Sequence, residues 1–379
     1  MMPAGFGLII GFILAAVLAW LLTPAVGRLA FRIGAIDRPD ARKVHTRVMP
    51  RLGGLAIFAA FVAGFAVLVP FLPESMLNAY DGRFIQALLM GGTIIVLLGA
   101  LDDRFGLPAK VKLLGQIAAA CVVVFGYGIR ISLVNIPFGG TMQPLAEWLA
   151  VPLTILWIVG CTNAINLIDG LDGLAAGVSG IAIATILVMA AVMGNEAVLL
   201  LSAPLLGSII GFLRHNFHPA KIFMGDSGSL FLGFSLATLS MLGFKQVTIV
   251  SFVAPLIIIG VPLSDTFFAI VRRVVNRRPI FAPDKGHLHH CLRELGFSHR
   301  GTVLIIWGIA AFFGLTAIFM STVVPSSSAN WVTFVVIAVL VLILQIGAEL
   351  IGIVDKTRRP VLDFLARLGM KVGVPTRSK

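Results

Sequence analysis

Four polar residues at a spacing of three, Asn163, Asn166, Asp169 and Asp172, follow directly on an apolar run long enough to cross a bilayer. Residues three apart share one face of a helix with a lag of about 60° per step, so these side chains trace a drifting polar stripe. Gly170 and Gly173 break the helix part-way and leave an oxygen-rich pocket at its end. Asp102-Asp103 ends another apolar run, with Lys110 and Lys112 shortly after. Adjacent carboxylates repel each other, so a cation partner is expected, either a metal ion or these lysines. Gly225-Asp226-Ser227-Gly228 opens a third run, where Asp226 or Ser227 suits an N-cap and the helix N-terminus attracts phosphate. His287-Leu288-His289-His290 lies in a loop rich in Arg and Lys. It lacks the Cys or carboxylate spacing of zinc signatures, so imidazoles facing an anionic ligand are the better reading.

This inventory suits phosphoryl transfer. Hard carboxylate oxygens hold Mg²⁺, with Mn²⁺ as a substitute, cations neutralise a pyrophosphate, and little covalent work is left to the protein. No Walker loop and no kinase set is present. The first inner loop, from Arg28 to Arg51, adds Arg38, Arg42, Lys43, Arg47 and Arg51. Such a loop either anchors the chain to anionic lipid or, through Arg51 and its neighbours, meets a phosphorylated ligand. Gly53-Gly54 allows close backbone approach at the start of the next span.

Membrane helices must position these groups. Of the 379 residues 58% are hydrophobic and 12% charged, and the mean hydropathy is +1.01, which excludes a soluble globular chain. Eleven apolar runs read as spans, at about 5–26, 52–72, 85–101, 113–129, 149–165, 173–193, 197–213, 228–244, 247–271, 302–322 and 331–353. All but three of the 29 lysines and arginines (the exceptions being Arg83, Arg130 and Lys245) fall in segments after odd-numbered spans. The positive-inside rule therefore puts the N-terminus outside and the C-terminus inside. All seven histidines and every site carboxylate above fall on the same inner side. The expected protein is all-α and polytopic, with one transmembrane catalytic domain (1–353) and a basic amphipathic cytoplasmic tail (354–379). Cys121, Cys161 and Cys291 share no metal or disulfide spacing and read as packing residues. Asp265 lies deep in the ninth span and should find a structural partner inside the bundle. An alternating segment at Ile131–Gly140 reads as a short hairpin.

Asp102-Asp103 with Lys112, the segment Asn163–Ala175, Phe223-Met-Gly-Asp226-Ser-Gly-Ser-Leu230 and the His287–His290 loop together resemble the four cytoplasmic motifs of the polyprenyl-phosphate N-acetylhexosamine-1-phosphate transferases. The likeness runs in order over nearly all of the membrane chain, and the His-x-His-His form is similar to the branch that uses UDP-N-acetylglucosamine. The peptidoglycan branch, which transfers phospho-N-acetylmuramoyl-pentapeptide, shows three consecutive histidines followed by Phe-Glu, whereas this chain has His289-His290-Cys291-Leu292.

The resemblance implies ten or eleven spans in the bacterial inner membrane and an attack of undecaprenyl phosphate on a UDP-N-acetylhexosamine that releases UMP on the cytoplasmic side. It implies Asp226 as the Mg²⁺ ligand, and Asp102, Asp103 and Asp169 as catalytic carboxylates. Arg51, Lys112, Asn163, Asn166, Asp172, His287, His289 and His290 are then the substrate-binding groups. The lipid bilayer is a partner, nucleic acid is not, and a homodimer is compatible with this reading. A cation-coupled transporter is the competing class, since Asp265 and the interface carboxylates also suit one. It calls for polar residues at mid-span and repeat symmetry, and neither is visible.

Overall fold

The computed structural model describes residues 4–39, 47–71, 80–131, 133–135, 142–243, 250–275, 277, 286–323, 335–336, 338–340 and 345. The expected tail at 354–379, most of the eleventh span, and Arg42, Lys43, Asp284, Lys285 and Glu349 lie outside the described residues.

The long apolar stretches become helices, with Pro24, Pro152 and Pro204 carried inside three of the longest, in order α1 (Ala4–Ile33), α2 (Gly53–Ala66), α3 (Tyr80–Phe105), α4 (Ala109–Cys121), α5 (Glu147–Ile168), α6 (Leu174–Met193), α7 (Glu196–Asn216), α8 (Gly225–Gly243), α9 (Val250–Ile258), α10 (Gly260–Val275), the short α11 (Leu288–Glu294) and α12 (His299–Val323). Seven helices among the described residues are long and apolar enough to cross a membrane. The protein is a multi-pass membrane protein. Two expected spans differ in detail. The second is a 14-residue helix, α2, which stops at Ala66. The ninth is not continuous: it breaks between α9 and α10, with Pro255 inside α9 and Gly260 opening α10. The all-α reading needs one amendment, for two short antiparallel ribbons. One pairs β1 (Ile36–Asp37) with β2 (Met49–Pro50), and the other pairs β3 (Leu133–Asn135) with β4 (Met142–Pro144) at the anticipated hairpin.

The helix α8 is the axis of the bundle. Every residue from Met224 to Ser240 is buried, and α2, α3, α5 and α6 pack around it. Such a helix is apolar on all sides because it meets protein on all sides. On the far flank α1 lies against α7, where a Cβ at Gly207 or Gly211 would run into the carbonyls of Phe12 and Ala16. Small residues four apart let two membrane helices approach backbone to backbone. The opposite face of α1 presents Ile9, Ile13, Trp20 and Leu21 outward, as a lipid-facing surface does.

Candidate active site

The N-terminus of α8 is held by a carboxylate from another helix. Asp103, at the end of α3, accepts the backbone N–H groups of Asp226 (2.8 Å) and Ser227 (3.1 Å), and the Ser227 hydroxyl (2.8 Å). A helix start leaves its first N–H groups without partners and carries partial positive charge, so a buried carboxylate fits there. The approach needs glycine at Gly225, whose φ is +70° and whose Cβ would strike the Asp103 carboxylate. The Gly53-Gly54 pair does allow close backbone approach. Gly53 N–H donates to the Phe223 carbonyl (3.1 Å) and Gly54 N–H to that of Met224 (2.9 Å). What approaches is the segment leading into α8.

Around this helix start sits a cluster of alternating charge. The Lys112 ammonium, on α4, donates to Asp226 Oδ2 (2.9 Å) and to Asp102 Oδ2 (3.2 Å). Arg51 lies 3.7 Å from Asp226 and 3.6 Å from Asp103. Asp102 also accepts the Leu107 N–H at 2.7 Å, which closes the tight turn between α3 and α4. The sequence-derived partners Asp102, Asp103, Lys112, Arg51 and Asp226 therefore do come together.

The polar stripe divides. Asn163 faces Gln116 in a reciprocal amide pair, with its Nδ2 2.5 Å from Gln116 Oε1, and lies outside the cavity lining. Asn166 reaches Ser229 Oγ of α8 at 2.8 Å and, with Asp169 and Asp172, lines a cavity of about 830 Å³. Arg51 and Asp226 line the same cavity. Asp172 accepts the Ala220 N–H (3.1 Å) and pairs with His218 Nδ1 (2.8 Å). Gly173, at φ +75°, opens α6 and donates its N–H to Asn216 Oδ1 (3.1 Å), while Asn216 Nδ2 donates to the Ile222 carbonyl (2.9 Å).

The three loop histidines separate likewise. His287 Nδ1 lies 2.9 Å from Asp265 Oδ2, and Asp265 Oδ1 accepts the Leu288 N–H that starts α11. The structural partner expected for Asp265 is thus His287. His289 is buried, its Nε2 without a partner among the described residues, over Gly170, where a Cβ would stand 2.5 Å from that nitrogen. Burial, and next its neighbour His290, lower the His289 pKa to about 3. It therefore stays neutral at physiological pH. Only His290 of the three lines the cavity.

Oxygen chemistry at the cavity fits Mg²⁺. The Asp226 carboxylate is met by two cationic side chains, and Lys112 shows that a positive charge is accepted between Asp226 and Asp102. Among the described residues these carboxylates do not form a closed group of three ligand atoms. Mg²⁺ favours such a site, because it keeps waters and phosphate oxygens around one or two carboxylates.

Burial, followed by the charge of Asp226, pushes the Asp169 carboxyl up to about 7. Its folded value lies above the unfolded one, so ionised Asp169 costs stability above that window and nothing below the unfolded value, where both states hold the proton. In metal-free buffer Asp169→Asn therefore raises thermal stability at pH 8 and leaves it unchanged near pH 4. The gain is about 1–2 kcal/mol after discounting for partial exposure to the cavity. Equal melting temperatures of the two proteins at pH 8 would show that cavity water already solvates the carboxylate.

Sequence reading did not assign Asn216, His218 or His299 to the site, although all three stand in the cavity wall, and it held Phe223 only within the motif leading to Asp226. His218 and His299 share the inner side of the chain with the motifs, which is the one signal that could have found them. Asn216 ends an apolar helix much as Asn163 and Asn166 do.

The Glycosyl transferase family 4 profile matches residues 85–244, which hold Asp102, Lys112, the stripe and Asp226. The chain is 47% identical over 362 residues to a probable undecaprenyl-phosphate N-acetylglucosaminyl 1-phosphate transferase of Bacillus subtilis (strain 168), covering 95% of this chain and 97% of the relative. It is 38% identical to a decaprenyl-phosphate N-acetylglucosaminephosphotransferase of Mycobacterium tuberculosis (strain ATCC 25618 / H37Rv), over 81% of each chain. To a phospho-N-acetylmuramoyl-pentapeptide-transferase of Halalkalibacterium halodurans it is 31% identical, over 83% of this chain and 96% of the relative.

Proposed function

Since the chain belongs to glycosyl transferase family 4, we propose that it transfers N-acetylglucosamine-1-phosphate from UDP-N-acetylglucosamine to undecaprenyl phosphate and releases UMP. The observation that carries this reading is the near full-length likeness to an undecaprenyl-phosphate N-acetylglucosaminyl 1-phosphate transferase, in a chain that gathers Asp226, Lys112 and Arg51 at the N-terminus of α8. A cation-coupled transporter is set aside by the family. The peptidoglycan reaction is disfavoured by the weaker likeness to its enzyme and by Cys291-Leu292 after His290. The lysine and arginine distribution supports placing the cavity at the cytoplasmic face of a bacterial inner membrane.

A phosphate oxygen of the lipid attacks the β-phosphorus of the donor. The new P–O bond joins lipid and sugar phosphates, and the bond from that phosphorus to the bridging oxygen breaks, leaving UMP. Asp226, with Asp102 beside Lys112, would hold Mg²⁺. When bound, the ion neutralises charge on the pyrophosphate as the leaving group forms. Lys112 and Arg51 act on the same charge from two sides of Asp226. Asn166, Asp169 and Asp172 form the wall that orients the nucleotide, and His290 lines the same cavity.

Little work remains for a general base, because a phosphate monoester loses its second proton near pH 6. Asp102 is tied to Lys112 and to the Leu107 N–H, and acts by placing charge. Asp102→Asn is therefore expected to lower turnover by a similar factor at pH 6 and pH 9. A deficit of several orders of magnitude at pH 6 that disappears at pH 9 would make Asp102 the proton acceptor instead.

Gly170 gives the wall a second test. Gly170→Ala pushes a methyl group into His289, and a displacement of about 1 Å near the reacting groups costs about 100-fold in rate. We expect that loss in kcat/KM for the UDP-sugar, with the lipid KM unchanged. An unaltered donor KM and kcat would remove His289 from the donor site. The reaction itself is tested with purified protein, Mg²⁺, undecaprenyl phosphate and a panel of UDP-hexosamines. UMP release greatest with UDP-N-acetylglucosamine is the expected result, and no release with any donor would overturn the proposal.

A further inference from the structure

Three segments that do not adjoin in sequence bring Asp172, His218 and His299 together: the turn after α5, the loop before α8 and the first residue of α12. One ligand atom from each lies within 4.8 Å of the others. His218 Nδ1 is 2.8 Å from Asp172 Oδ2, and the two imidazoles stack with centroids 4.0 Å apart. His299 is only 8% exposed, and its Nε2 is buried without a hydrogen-bond partner among the described residues. An orphaned ring nitrogen in a buried site is costly unless something occupies it. The loop that carries His218 is clamped in place by Arg300, whose Nε (3.2 Å) and Nη2 (3.1 Å) donate to the His218 carbonyl. All three ligand residues border the cavity.

We propose that Asp172, His218 and His299 form a second metal site, separate from the Mg²⁺ position at Asp226, and that it takes a borderline transition ion of the Zn²⁺ class. The donor set decides the class: two imidazole nitrogens and one carboxylate oxygen suit Zn²⁺, Co²⁺ or Ni²⁺, whereas Mg²⁺ prefers oxygen alone. Ligands bound tetrahedrally to zinc at about 2.1 Å lie about 3.4 Å apart, so the cluster closes on an ion by drawing in ligand atoms that lie within 4.8 Å of one another, with the stacked His218 and His299 rings turning out of parallel to aim one nitrogen each at it. Binding replaces the Asp172–His218 contact with bonds from both side chains to the ion. Three protein ligands leave a fourth position, which the cavity supplies. An ion there ties the wall segment at Asp172 to the N-terminus of α12.

The test uses full-length protein in detergent with an affinity tag free of histidine, titrated with Co²⁺ in millimolar Mg²⁺. We expect one Co²⁺ per chain with ligand-field absorption bands, displaced by Zn²⁺, and a Zn²⁺-dependent rise in melting temperature. His218→Ala and His299→Ala each weaken binding at least tenfold, and His299→Gln, which preserves the ring's volume more nearly, does the same. Asp226→Asn retains the site. The proposal is overturned if wild-type protein binds no stoichiometric Co²⁺, if the folded histidine variants bind it as well as wild type, or if Asp226→Asn alone abolishes binding. The readout is metal occupancy and not turnover, so its outcome is independent of the transferase reading.

Discussion

Asp226→Asn lowers UMP release by about 10³-fold, the scale on which removal of one preorganised electrostatic group acts, while the protein stays folded. The side chain stands in the first turn of α8, and its oxygens face Lys112 at 2.9 Å and Arg51 at 3.7 Å. Asparagine keeps the volume and removes the charge, so packing of the buried helix survives. What is lost is the hard ligand and the counter-charge that sets the two cations at their spacing. Lys112 still has Asp102 as a partner and is 27% exposed, which limits the stability change to about 1 kcal/mol. The Mg²⁺ concentration for half-maximal rate should rise together with the loss in kcat. Activity within tenfold of wild type at saturating Mg²⁺ would transfer the metal role to another carboxylate.

Much of this architecture is legible in residue order alone. Runs of apolar residues mark the helices because lipid leaves no other partner for backbone polar groups. Asp265 is legible as a structural group because an ionisable side chain at depth must be paired, although only the fold names His287 as the partner. Hydropathy is weaker at continuity: it marks the ninth span as one run, yet the helix is interrupted at Ile259, where Pro262 has no N–H to offer the Ile258 carbonyl, and divides into α9 and α10. Periodicity has a similar limit. It places Asn163 on the stripe, but whether an amide meets a ligand or a neighbour depends on which helix packs there, and α4 brings Gln116. His218 and His299 are invisible as a pair because 80 residues of chain, with the four helices α8 to α11, separate them before the bundle brings their rings into a stack.

The same limit governs Asp102-Asp103, and leads to the second large effect. Consecutive residues on a helix point about 100° apart, so adjacent carboxylates reach different partners within one cluster. Asp102 turns to Lys112, while Asp103, its side chain fully buried, turns into the start of α8 and uses both oxygens on Asp226 and Ser227. Asp103 is thus a positioning residue: it fixes the backbone from which Asp226 projects. Asp103→Asn leaves one acceptor for three donors and sets an amide N–H against the helix N-terminus. The expected cost is about 2–4 kcal/mol of stability, from lost charge-assisted bonds and unpaired buried donors. Turnover is expected to fall about 100-fold through misplacement of Asp226, with the Mg²⁺ requirement raised. A catalytic Asp103 predicts the opposite pattern, a fall in kcat with melting temperature and Mg²⁺ dependence unchanged. Thermal unfolding and a Mg²⁺ titration on the same preparation separate the two. Asp103→Glu sharpens the distinction: it retains a carboxylate but lengthens the side chain by one methylene in a space bounded by Gly225 and Gly99, whose own Cβ positions would meet Asp103 and Ser227. If positioning is the role, the glutamate variant fails nearly as badly as asparagine, since distance and not charge alone decides where Asp226 stands.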